Sequence, residues 1–137
     1  MLPVFPSGLV TLLHTPRGAR ECDVLVVEDD PILRRSVAQT LEDEGYRVVG
    51  ARDGVDALRV LGRCSPWLIL LDIWLPRMNG PEFVSELRDR GADVKIVVMT
   101  AAQHARRWAT ALGADAILAK PFESFELVDL VAQQRPS

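Results

Sequence analysis

From residue 22 onward the chain alternates between two hydrophobic rhythms: short unbroken apolar runs, and stretches whose apolar residues recur every three to four positions. The first rhythm belongs to strands covered on both faces, the second to amphipathic helices. Residues 24–27 (Val-Leu-Val-Val) are the first run and end at Glu28, Asp29 and Asp30. Asp30 suits a helix N-cap and Pro31 the first helical position; Leu33, Val37 and Leu41 then keep helical spacing until Gly45. Residues 46–51 read as a second strand. Asp53 caps a short helix with Val55, Leu58 and Leu61 as its apolar positions, and Pro66 closes it off. The third run holds one charged residue between Trp67 and Pro76, the carboxylate of Asp72. A loop over residues 75–80 leads to a helix from Pro81 to about Arg90, with Phe83, Val84 and Leu87 inward and Gly91 after it. Residues 95–99 make a fourth strand, and residues 103–112 its helix, stopped by Gly113. Residues 116–119 make a fifth, and Ser124 caps a last helix whose apolar positions are Phe125, Leu127, Val128 and Val131.

Five short strands alternating with five helices call for an α/β domain of three layers, a doubly wound five-stranded parallel sheet with right-handed crossovers. The expected strand order is 2-1-3-4-5, the flavodoxin-like arrangement, in which ligands sit beyond the carboxyl ends of the strands, at the switch point between strands one and three. The residues just after the strands are Glu28 and Asp29, Asp72, Thr100 and Lys120. Three carboxylates brought together repel unless their pKa values rise or a cation sits among them. All-oxygen donors favour a hard ion such as Mg2+, with Mn2+ as a substitute. A Thr100 hydroxyl and a Lys120 ammonium opposite them suit phosphoryl oxygens, and together the set describes transfer of a phosphoryl group to an Asp. Taken singly, each residue has a plainer reading. Asp30 is a cap, Asp72 a strand-end polar residue, Thr100 a strand-end hydroxyl and Lys120 a solvated charge; it is their coincidence at one edge that informs. His14 and His104 read as surface residues, and Arg106 and Arg107 as the wet face of the fourth helix.

Four ordered motifs carry a resemblance: Val-Leu-Val-Val-Glu28-Asp29-Asp30-Pro31, Leu-Leu-Asp72-Ile-Trp74-Leu-Pro76 through Gly80, Val-Val-Met-Thr100-Ala101, and Ala-Lys120-Pro121-Phe122. Over residues 23–134 the chain resembles the receiver domain of bacterial two-component response regulators. The resemblance implies that Asp72 accepts phosphate from a histidine kinase or a histidine phosphotransfer protein. It implies Mg2+ held directly by Asp29 and Asp72, with Glu28 acting mainly through water and the Trp74 backbone carbonyl as a further ligand. Thr100, Lys120 and the backbone N–H of Ala101 contact the phosphoryl group in this reading, and the Lys120-Pro121 bond is cis. Phosphorylation then alters partner binding at the face of the fourth helix, fifth strand and fifth helix, in a monomer or a phosphorylation-dependent dimer. The chain departs from the family at Ile117, where an aromatic switch residue is usual, so the switch is expected to be weaker or carried by other groups. Trp74 and Ala102 stand at positions that tune hydrolysis of the acyl phosphate, and a bulky indole there is expected to prolong the phosphoryl state.

Composition and charge narrow the alternatives. With 137 residues, 48% hydrophobic and 26% charged, the chain fits one domain, read as residues 22–135 with an irregular extension over residues 1–21 and no output domain. A formal net charge of −3 without a long basic run gives no footprint for nucleic acid or an anionic membrane. No apolar segment approaches the roughly 20 residues of a membrane span. Cys22 and Cys64 form neither a metal pattern nor a disulfide framework and read as reduced thiols of a cytoplasmic protein. A flavin carrier is disfavoured because carboxylates, not a phosphate-cradling loop, follow strand one. An aspartyl-phosphate hydrolase is disfavoured because Trp74 stands where such enzymes place a general acid. A receiver-like module that binds partners without phosphorylation remains the alternative, and multiple turnover on an external substrate is not expected.

Overall fold

A computed structural model of the chain describes residues 21–137. The extension expected over residues 1–21, apart from Glu21, lies outside the described residues, as does His14. The apolar runs become strands β1 (Val24–Val27), β2 (Val48–Ala51), β3 (Leu68–Asp72), β4 (Lys95–Ala101) and β5 (Ala116–Lys120). The periodic stretches become helices α1 (Pro31–Asp43), α2 (Gly54–Leu61), α3 (Gly80–Asp89), α4 (Ala102–Leu112) and α5 (Ser124–Gln134). All strand pairs are parallel, and the order is β2-β1-β3-β4-β5.

Alternation along each strand divides the core in two. Leu25, Val27, Ile69, Leu71 and Val98 pack with Ala57, Val60, Phe83, Val84 and Leu87 of α2 and α3 on one face. Val24, Val26, Leu68, Leu70, Val97 and Met99 pack with Val37, Leu41, Leu127 and Val131 of α1 and α5 on the other. Both faces of β1 and β3 are therefore dry, which is why those runs are unbroken. Each fully buried aliphatic side chain contributes roughly 1.5–3 kcal/mol. No helix among the described residues is long and apolar enough to cross a membrane. Cys22 and Cys64 are free and buried, and burial, joined by a hydrogen bond with Cys64, pushes the Cys22 thiol up to about 12.

Several expected boundaries shift for local reasons. Strand β2 begins at Val48, two residues late, because Tyr46 still closes α1 by donating its N–H to the Leu41 carbonyl at 3.1 Å. Its ring rests edge-on against Trp67, with the centroids 5.9 Å apart. Strand β4 runs on to Ala101, and β5 reaches Lys120, which pairs with Ala101. The deepest positions of α2 are Gly54, Ala57 and Val60, leaving Leu58 and Leu61 only partly buried. The N-cap of helix α5 is not Ser124 but Glu123, whose N–H donates to the Glu126 carboxylate at 2.8 Å while the Glu126 N–H donates to the Glu123 backbone carbonyl at 3.0 Å. Phe125 is 66% exposed, because it lies roughly 200° around the helix from Leu127, which sets the inward face. His104, Arg106 and Arg107 are exposed, as expected.

Candidate functional site

The parallel strands deliver their polar ends to one edge. Strand β1 leads into Glu28, 1% exposed, and Asp29, which is exposed. The turn after them is held by Asp30, whose carboxylate accepts from the backbone N–H groups of Ile32 and Leu33, and by Arg34, which donates to the Glu28 carbonyl at 2.7 Å. Strand β3 ends in Asp72, 6% exposed. Asp72 pairs with Met99 in the register of β3 and β4, so Thr100 lies one residue beyond it on the neighbouring strand. Lys120 ends β5 and reaches across, its Nζ 2.8 Å from Glu28 Oε1 and 3.4 Å from Asp72 Oδ2. Lys120-Pro121 is cis. Glu28, Asp29 and Asp72 offer oxygens that all lie within 4.8 Å of one another.

The electrostatics follow from that crowding. Burial, helped by the Asp72 charge, raises Glu28 to about 7, against the opposing hydrogen bonds from Lys120 and the Asp30 N–H. Burial pulls the Lys120 ammonium down, but the hydrogen bond to Glu28 and the charges of Asp72 and Glu28 outweigh it, and its pKa is raised. The donor set fits a hard divalent cation: carboxylate oxygens alone, one of them at the solvent edge. Both Glu28 oxygens are engaged, Oε1 by Lys120 and Oε2 by the Asp30 N–H at 3.2 Å. On the strand next to Asp72 the Thr100 hydroxyl is buried with no hydrogen-bond partner. A buried orphan of this kind usually marks a ligand or water the chain alone does not supply.

The loop after Asp72 was less legible. Trp74 donates its backbone N–H to Asp72 Oδ1 at 3.3 Å, while its indole, 59% exposed, lies edge-on to Trp108 of α4 with the centroids 5.4 Å apart. Ala101 stands at the N-cap of α4, where no side chain caps the helix. Ile117 sits two strand positions before Ala119, paired with Val98 and 36% exposed. Further along, Arg77 forms a two-pronged ion pair with Asp53, through Nε at 2.6 Å and Nη2 at 3.0 Å. The sequence marked Asp53 only as a cap, which it also is, accepting from the Asp56 N–H at 2.9 Å. Neither the Asp53–Arg77 pair nor the Trp74–Trp108 contact has a sequence signal, since both join loops or elements far apart in the chain.

The comparisons with known proteins converge. The family model described as "Response regulator receiver domain" matches residues 24–132. The response regulator MprA of Mycobacterium leprae is 39% identical over 107 residues, covering 77% of this chain and 47% of its own. The chain spans about half the length of the curated relatives it matches. Among solved structures, the chemotaxis response regulator CheY4 of Vibrio cholerae has a TM-score of 0.76 at 30% identity, covering 85% of this chain and all of that one. The receiver domain of NtrX from Brucella abortus has a TM-score of 0.75 at 30% identity, covering 82% and 97%. With the strand order, the acidic cluster and the family match in agreement, this chain belongs to the response regulator receiver domain family.

Proposed function

We propose that Asp72 accepts a phosphoryl group from a histidine kinase or a histidine phosphotransfer protein, and that the phosphorylated state changes which partner the domain binds. One observation carries this reading: Lys120 bridges Glu28 and Asp72 at the strand ends, while on the strand between Asp72 and Lys120 the buried Thr100 hydroxyl stands without a partner. An Asp72 oxygen attacks phosphorus as the bond to the donor imidazole nitrogen breaks, and the electron pair returns to that nitrogen. Lys120 and Thr100 hold the phosphoryl oxygens in place, with the Ala101 N–H beside them. Asp29 and Asp72, with the Trp74 carbonyl and with Glu28 acting mainly through water, would hold Mg2+ or Mn2+, which would offset the charge on those oxygens. The domain serves as acceptor and switch, not as an enzyme turning over an external substrate.

The output face is α4, β5 and α5. Ile117 cannot repeat an aromatic ring flip, and the edge-on contact of Trp74 with Trp108 supplies another path from the acceptor loop to α4. Relaxation-dispersion NMR should therefore show phosphorylation-linked exchange at those two indoles, and strong exchange centred on Ile117 would count against it. The first test of the whole reading is intact mass and tryptophan emission of wild type and Asp72→Asn, each with Mg2+ and acetyl phosphate. The expected result is a phosphoryl mass and an emission change in wild type alone. Mg2+ binding without a mass gain in wild type would favour a module that binds partners without phosphorylation.

A further inference from the structure

We infer that Asp53 and Arg77 form a positioning pair that sets the loop after the phosphoacceptor, and with it the affinity for the divalent cation. The inference rests on the proposed function, because the Trp74 carbonyl lies in that loop. Asp53 is 1% exposed, and its carboxylate does two things at once. Oδ1 accepts from the Asp56 N–H, fixing the first turn of α2, and both oxygens take the Arg77 guanidinium in a fork. Burial works against the Asp53 charge, but the Arg77 and Asp56 hydrogen bonds outweigh it and hold the carboxyl below its usual range.

Arg77 has φ 60°, a left-handed conformation that costs a side chain-bearing residue roughly 1–2 kcal/mol. Something must hold it there, and the fork to Asp53 does. A second tie lies one residue on: Gly54 donates its N–H to the Met78 carbonyl at 3.0 Å. The approach is so close that a Cβ on Gly54 would lie 2.7 Å from Met78 Cγ and 2.8 Å from its carbonyl oxygen. At the loop's far end the Gly80 N–H donates to the Ile73 carbonyl at 2.9 Å. The loop is thus pinned to the start of α2 and to its own base, with Trp74 between the two anchors. Helix α2 would keep its Asp53 cap without Arg77, whereas the loop would lose its tie to a buried charge.

The test compares Arg77→Gly, Arg77→Lys and Asp53→Asn with wild type. Glycine accepts φ 60° without strain, lysine keeps the charge but not the fork, and asparagine keeps the cap. Mg2+ affinity is read from tryptophan emission and Mn2+ affinity from the free-ion electron paramagnetic resonance signal, alongside melting temperature and phosphorylation by acetyl phosphate. Groups bonded directly to metal ligands typically govern affinity by about 10- to 100-fold, and a pair that acts through the loop, one step further out, falls at the low end of that range. The expected result is about tenfold weaker binding in Arg77→Gly and Asp53→Asn, a smaller loss in Arg77→Lys, and slower phosphorylation in step with occupancy. Should Asp53→Asn fail to fold, the two Arg77 variants decide. Wild-type cation affinity in those variants, whatever their melting temperatures, overturns the inference and leaves the proposed function standing. A wild-type protein that binds neither cation overturns both.

Discussion

Replacing Lys120 by Met should tighten Mg2+ binding while abolishing efficient phosphorylation. The ammonium lies 2.8 Å from Glu28 and 3.4 Å from Asp72, so it occupies the same carboxylate field that a cation would enter. Two unit charges 4 Å apart interact by about 4 kcal/mol at an effective dielectric of 20 and about 1 kcal/mol in bulk water. A dication doubles both figures. The Lys120 side chain is 27% exposed, so the site lies between these limits, and screening by salt lowers the result further. For a cation at such a separation that is about 2–8 kcal/mol before screening, so even after salt lowers it a gain of at least about 1.4 kcal/mol, tenfold in affinity, is expected. The metal-free variant should lose about 1–3 kcal/mol of stability, because Glu28 keeps its burial and loses its cationic partner. Glu28 also takes up a proton more readily in that variant, which competes with the metal. Calorimetric titration with Mg2+ at pH 8.5 removes most of that competition, and intact mass after acetyl phosphate treatment reads the second effect. Unchanged or weaker Mg2+ binding at pH 8.5 would show that the ammonium does not oppose the cation and would refute the electrostatic reading.

Three further outcomes rest on single features. Glu28 has a folded pKa of about 7 against 4.5 for the free side chain, so between those values the folded state holds a proton the unfolded state has released. Metal-free stability is therefore greatest below pH 4.5 as far as this group is concerned, and falls by about 3 kcal/mol as pH rises to 7 and just beyond. Urea denaturation across that range should show the fall in wild type and not in Glu28→Gln; a Glu28→Gln profile as steep as wild type would assign the effect elsewhere. In Gly80→Ala the new Cβ would meet the Ile73 Cα at 3.0 Å and the Asp72 carbonyl at 3.1 Å, backbone that cannot rotate aside. A cost of about 1–3 kcal/mol and slower Asp72 phosphorylation should follow, and an unchanged melting temperature would mean the loop yields freely. Trp74→Asn should hasten loss of phosphate from Asp72, followed by intact mass over time, because the indole no longer screens the acyl phosphate; slower loss would sink that role.

How far the site could be read in advance depended on how each residue is placed. Glu28, Asp72, Thr100 and Lys120 were legible because a parallel sheet with crossover helices must send every strand the same way, so the residue after each apolar run reaches one edge. Strand order and the inward faces of α1 and α3 were legible for a similar reason, since Leu41, Phe83 and Leu87 have only one dry side to face. The start of β2 was not, because Tyr46 satisfies a helix carbonyl before a strand can begin, a choice made by hydrogen bonding and not by hydrophobicity. Which of the apolar positions of α5 turn inward was not legible either, because apolar identity says nothing about phase: Leu127 and Val131 define the buried stripe and Phe125 lies outside it. The Asp53–Arg77 fork lay furthest from view: its partners sit 24 residues apart in two loops that no periodicity describes. Sheet geometry thus assigns which groups meet at the strand ends, while the ties between loops set how tightly they are held there. On the proposed reading, with Asp72 set by its strand, the loop ties are what cation affinity is expected to respond to, which is what the Arg77 and Asp53 variants measure.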